Sequence, residues 1–261
     1  MAYEKMWGRA NPGHIIFLID QSGSMHGENA DKTAECVQNS IVEIVRGSID
    51  GEDVRDRAFI TVIGYGRKDQ PVNIIRQGWV SEWAGDALKA KTDGKNIIPA
   101  IADWGTPMTE AFKQAKECLD KWIQMREQDS QENPTLSMAA PIVLNITDGE
   151  PDDEASARVA AQEILETDTP DGKVLLFNAH MCNKGEEFVC PSDRTDLHGN
   201  SKAEFLFDIS SPITDKMHNV AKSVGFETIR PGAKGFVANA RKATLARFIE
   251  FGSQFQSKPH Q

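Results

Sequence analysis

The chain lacks several features that would place it quickly. Nowhere among its 261 residues is there an apolar run near the roughly 18 residues that a membrane-crossing helix needs. The opening segment, MAYEKMWGRANPG, carries charge but no apolar core of the secretory kind, so the expected location is cytoplasmic. Positive charge is scarce: 29 Lys and Arg stand against 39 Asp and Glu, a formal net charge of −10. That balance repels phosphate backbones and argues against a general DNA or RNA binder. It favours cations or basic surfaces instead. Glycine-rich phosphate loops are missing too. GRKDQPVN and TDGKNI both lack the Gly-Lys-Ser/Thr ending that cradles a nucleotide. Internal repeats and low-complexity segments are absent, and no Pro/Gly linker divides the chain.

Cysteine is sparse, with four in all. Cys36 and Cys118 sit in helix-like apolar patterns and read as buried free thiols. Cys182 and Cys190 fall with His180 and His198 in a His-x-Cys-x7-Cys-x7-His array. These soft ligands suit zinc, although the short Cys-x2-Cys pairing of common zinc sites is missing. Unbonded thiols, a disulfide and zinc all remain open from the spacing.

What the chain does have is alternation. HIIFLID (His14–Asp20), RAFITVIGYG (Arg57–Gly66), APIVLNIT (Ala140–Thr147) and KVLLFNAHM (Lys173–Met181) are short apolar runs of buried-strand type. Only the turn RKDQP separates the second from VNIIR (Val72–Arg76), which requires an antiparallel edge strand there. Helical periodicity marks Asp31–Gly47, Thr106–Met125, Asp152–Glu166, Thr214–Gly225 and the closing stretch within Gly235–Phe255. A looser region, Gly78–Gly105, holds one short helix near Glu82–Lys91. Phe226–Arg230 reads as the last strand, and 183–212 as an inserted hairpin or surface excursion. Together these give a doubly wound α/β fold: a mostly parallel six-stranded sheet, antiparallel at its third, edge strand, with helices on both faces. The expected layout is a lead-in over 1–13, one domain over 14–255 with the insertion at 183–212, and a tail over 256–261.

In such sheets ligands bind at the carboxyl ends of the strands, where strand order reverses. The first and fourth of these strands both lead into an aspartate, Asp20 and Asp148, and a 3-2-1-4-5-6 order makes them neighbours. Ser22 and Ser24 follow Asp20 in the first loop, and Thr106 opens the helix that precedes the fourth strand. Two carboxylates and three hydroxyls therefore converge. That is a hard-oxygen set suited to magnesium. Each piece alone has a plainer reading. Thr106 before Pro107 reads as a helix N-cap, and Asp148-Gly149 as a turn. Glu150, Asp152 and Asp153 suit an acidic helix start or a basic partner. Trp79, Trp83 and Trp104 suit either packing or partner anchoring.

Taken together, DQSGS (Asp20–Ser24), GTPM (Gly105–Met108) and TDGEPDD (Thr147–Asp153) resemble the von Willebrand factor A domain family with its metal-ion-dependent adhesion site. The resemblance spans residues 14 to 182. It implies that Asp20, Ser22, Ser24, Thr106 and Asp148 bind magnesium or manganese, and that a protein partner supplies a carboxylate to the ion. The closing RPGAKGFVANARKATLARFIEFGS resembles bacterial intracellular members of tellurium-resistance and stress systems, which implies phosphatase or kinase partners. The competing expectation is a magnesium-dependent phosphohydrolase using Asp20 and Asp148. Hydroxyl-rich ligation beside an acidic loop is poor electrostatics for a phosphate ester, and no nucleophile–base pair is evident.

Overall fold

The computed structural model describes residues 3–182, 185–227 and 229–254. Its central sheet is built from β1 (Gly13–Asp20), β2 (Ala58–Tyr65), β3 (Val72–Trp79), β4 (Ile142–Thr147), β5 (Leu175–His180), β6 (Phe188–Val189) and β7 (Phe236–Ala238). The order across the sheet is β6-β7-β5-β4-β1-β2-β3. β1, β2, β4, β5 and β7 run parallel, while β3 and β6 are antiparallel edges. The expected 3-2-1-4-5 arrangement is therefore present, but the sheet has seven strands instead of six.

β1 shows why these strands form. All eight of its residues are buried, because Ile15, Phe17 and Ile19 face one hydrophobic layer while Ile16 and Leu18 face the other. A strand covered on both faces has no need of polar alternation. One layer is covered by α1 (Glu28–Arg46), α2 (Val80–Asp93), α6 (Asp215–Ser223) and α7 (Lys242–Gln254). The opposite layer is covered by α3 (Met108–Glu132), α4 (Glu154–Leu165) and α5 (Ser201–Asp208). Among the described residues no helix is long and apolar enough to cross a membrane.

The structure departs from the sequence reading in several places. Phe226–Arg230 forms no strand among its described residues, and Thr228 lies outside them. The last parallel strand is Phe236–Ala238, which pairs with β5 at Asn178 and Ala179. The 183–212 segment is more than a surface excursion, although Asn183 and Lys184 lie outside the described residues. It supplies the edge strand Phe188–Val189 and the helix α5, whose Phe205, Leu206 and Phe207 are buried. The helix near Glu82–Lys91 runs from Val80 to Asp93 and buries Trp83. In the lead-in, Trp7 is buried against Gly13. The last residues, 256–261, lie outside the described residues.

Candidate metal centre

Three loops meet at the carboxyl ends of β1 and β4. The neighbouring registers bring Asp20 opposite Tyr65 on β2, and Ile19 opposite Ile146 on β4. Asp20 is 1% exposed and pinned on both oxygens. Its Oδ1 accepts the Ser22 N–H at 2.8 Å, and its Oδ2 accepts the Thr147 hydroxyl at 2.5 Å. The Ser22 and Ser24 hydroxyls lie 3.1 Å apart. Ser24 Oγ donates to Asp148 Oδ1 at 2.6 Å. A continuous polar chain thus joins the first loop to the loop after β4, across 124 residues of sequence.

Thr106 enters from the third side. A Cβ added at Gly149 would lie 3.3 Å from Thr106 Oγ1 and 3.6 Å from Ser24 Oγ, so glycine there lets both hydroxyls close on the same point. The expectation that Thr106 caps the helix is corrected: Pro107 occupies the N-cap position of α3, with no side-chain capping bond. The loop is instead held by Asp152. Its Oδ1 accepts the Thr106 N–H at 2.9 Å, and its own N–H donates to the Thr106 carbonyl at 3.0 Å. Asp153 is the α4 N-cap, accepting the Ser156 N–H at 3.1 Å. Glu150 is exposed.

Backbone contacts lock the first loop to its neighbours. The Gly23 N–H donates to the Trp104 carbonyl at 2.8 Å, and the Trp104 N–H to the Gly66 carbonyl at 2.9 Å. Gly66 has a φ of +114°, and a Cβ on it would sit 2.5 Å from the Ser22 nitrogen. Only glycine fits that approach.

Burial dominates the electrostatics. It raises the Asp20 carboxyl to about 6, against the hydrogen bonds from Ser22 and Thr147, with the nearby Asp148 charge adding to the rise. His180 ends β5 beside Thr147 in register. Burial pushes it down to about 4, so it is neutral near pH 7. Tyr65 reaches under the site, and its hydroxyl donates to Asn145 Oδ1 at 2.8 Å.

All five residues named from the sequence converge here. Sequence reasoning missed Thr147, which holds Asp20, and read Asp152 as part of a helix start or a contact for a basic partner, whereas it holds the Thr106 loop. The one available signal was Thr147 standing directly before Asp148. The soft-ligand array fares differently. Among the described residues no group of three or more His, Cys, Asp or Glu side chains is placed to hold a metal ion. Cys190 is buried, its thiol pushed up to about 12 by burial, and His198 packs its ring on Phe188. All four cysteines are free. Of the three tryptophans in the stretch from 79 to 104, Trp83 is buried and Trp79 packs with Phe59 and Trp122, whereas Trp104 is 57% exposed.

No protein-family model matches the chain, and no curated protein matches it by sequence. Among solved structures it is similar to the vWF domain of the type V pili tip protein Mfa5 from Porphyromonas gingivalis, at 15% identity over 54% of this chain and 39% of that one, TM-score 0.34. It is similar to the manganese-loaded TRAP protein of Plasmodium vivax at 15% identity, over 69% of this chain and 61% of that one, TM-score 0.37. It is similar to proximal thread matrix protein 1 of the mussel byssus at 16% identity, over 77% and 42% respectively, TM-score 0.46. The chain spans less than two thirds of each, and 20% of a structure holding three N-terminal domains of Mfa5. At such low identities and scores these likenesses assign the chain neither a family nor an activity.

Proposed function

We propose that this chain is a divalent-cation-dependent protein-interaction module of the von Willebrand factor A type. Asp20, Ser22, Ser24, Thr106 and Asp148 would hold magnesium or manganese. The observation that carries this reading is the unbroken polar chain Asp20–Ser22–Ser24–Asp148, closed by Thr106 over Gly149.

The donor set fits the ion. Every group is a hard oxygen, as magnesium and manganese prefer, and none is a thiolate or imidazole. Three of the five are neutral hydroxyls, which add no negative charge, so only the Asp20 and Asp148 carboxylates oppose the charge of the ion. Bound there, the ion supplies a concentrated positive charge that attracts a carboxylate from a partner protein. The chain's own part is orientation. Thr147 and the Ser22 N–H fix the Asp20 carboxylate, and Asp152 fixes the loop that carries Thr106. No bond of the partner is made or broken.

The setting belongs to the same proposal: the cytoplasm of a bacterium, in a stress-response or signalling complex with a phosphatase or kinase. Affinity capture in millimolar magnesium, eluted with chelator, tests it. The expected eluate is a protein whose capture is lost with Asp20→Ala. Capture indifferent to chelator would place the partner on another surface. A magnesium-dependent phosphatase activity abolished by Asp20→Ala would overturn the non-enzymatic reading in favour of the phosphohydrolase.

A further inference from the structure

Trp104 is unlike the other tryptophans. Trp7 is buried against Gly13, Trp83 lies under the Arg76 guanidinium at 4.5 Å, and Trp79 and Trp122 pack on each other with ring centroids 5.4 Å apart. Trp104 is 57% exposed, and among the described residues its indole meets no aromatic ring and no cation. Its position is nonetheless fixed. It forms a parallel bridge with Ser22, and its N–H and carbonyl both bond to the loops that frame the candidate metal centre. The preceding residue, Asp103, is tied in the same way, its N–H donating to the Gln21 carbonyl at 2.8 Å. A large exposed ring on a backbone already fixed, two residues from Thr106 and alongside Ser22, needs no further ordering of the main chain when something covers it.

The charge around it narrows the occupant. In the surrounding loops Arg67 is paired with Asp69 at 2.8 Å. Beside it, Asp103 Oδ2 accepts the Lys68 N–H at 2.9 Å, a Cβ on Gly105 would lie 3.1 Å from Asp152 Oδ2, and Asp148 accepts from Ser24, so carboxylates border the loop that carries the indole. A bare indole face amid excess carboxylate favours a planar cation, and arginine stacks on tryptophan better than any other side chain of that charge.

We infer that Trp104 is a second contact point for the partner, stacking on an arginine that stands beside the carboxylate offered to the metal. This rests on the adhesion-site reading and adds a specificity to it: an acidic residue flanked by arginine, in place of any acidic residue. The carboxylate occupies the ion, the guanidinium covers the indole, and the acidic loops repel segments with further negative charge.

The test uses the full chain in magnesium on a peptide array. One glutamate is held constant, and each flanking position is varied through Arg, Lys, Leu, Glu and Gly. The expected result is enrichment of Arg at one flank, by about five- to tenfold over Leu, with Lys intermediate. Trp104→Ala should lose that preference, and Trp104→Phe should keep part of it. Both variants should bind magnesium by calorimetry as the wild type does, because the indole is no ligand. Equal binding of Arg and Leu peptides, an unchanged preference in Trp104→Ala, or no retention at all would overturn the inference while leaving metal binding intact. Loss of magnesium binding in the wild type itself would instead remove the adhesion-site reading.

Discussion

Asp20 sets the chemistry of the site. Its carboxyl is raised from 3.8 to about 6 because it is buried with one charge-bearing neighbour, Asp148, close by. The folded protein holds this proton more tightly than the unfolded chain, so the metal-free protein loses stability as pH rises from about 4 to about 6. The loss amounts to roughly 3 kcal/mol at most. A bound cation would offset it by stabilising the charged form. Two outcomes are expected. Magnesium affinity should fall as pH drops through about 6, as protons compete for Asp20, which calorimetry at pH 5 and pH 8 would register. Metal-free Asp20→Asn should be at least as stable as wild type at pH 7.5 in urea titration, yet gain nothing from magnesium. A variant both destabilised and still magnesium-responsive would refute this account of Asp20. Gly149 provides a second test. A methyl there would crowd Thr106 Oγ1 at 3.3 Å, so Gly149→Ala should weaken magnesium by about tenfold without removing any ligand.

At the scale of elements, the sequence revealed what long apolar runs and strand ends can reveal. β1 and β4 were legible because buried parallel strands are unbroken stretches, and because each leads into an aspartate. The antiparallel β3 followed from the shortness of its turn. β6 and β7 were not legible, since two and three residues cannot display a period, and their pairing joins Phe188 to Ala238. Nor was the cap on α3, because the Thr106 loop is held by Asp152 from 46 residues away. The same limit hid a buried polar ladder across the sheet. Tyr65 donates to Asn145 at 2.8 Å, Asn145 to Asn178 Oδ1 at 3.0 Å, and Asn178 to Ser210 Oγ at 2.9 Å. It ties β2, β4 and β5 to the end of α5. Asn145→Leu strands the Tyr65 hydroxyl and the Asn178 carbonyl oxygen, at a cost of about 2–4 kcal/mol. Asn178→Leu should cost about as much, and the double variant clearly less than the sum. Urea denaturation of the three variants measures this, and strict additivity would show that the ladder does not act as a unit.

For the whole molecule, pH is the accessible variable. His14 is fully buried at the start of β1, its Nε2 2.9 Å from Thr61 Oγ1, and burial pushes it down to about 3. The unfolded chain takes up this proton below 6.5, whereas the folded chain resists it. Stability from this group is therefore complete above pH 6.5 and is lost as pH falls toward 3, by roughly 5 kcal/mol at most. His180 acts in the same direction, and Asp20 in the opposite one. Measured in an Asp20→Asn background, the acid slope should be flatter in His14→Gln. An unchanged slope would mean that His14 does not contribute to acid sensitivity.

The central claim is that three loops, distant in sequence, form one cation site. Calorimetric titration of magnesium at pH 8 into the metal-free wild type and into the Ser22→Ala/Ser24→Ala double variant tests it most directly. The predicted result is saturable one-site binding in the wild type at millimolar ion or below, and none in the variant, whose fold is retained. Absence of binding in the wild type, or equal binding in both, would contradict it.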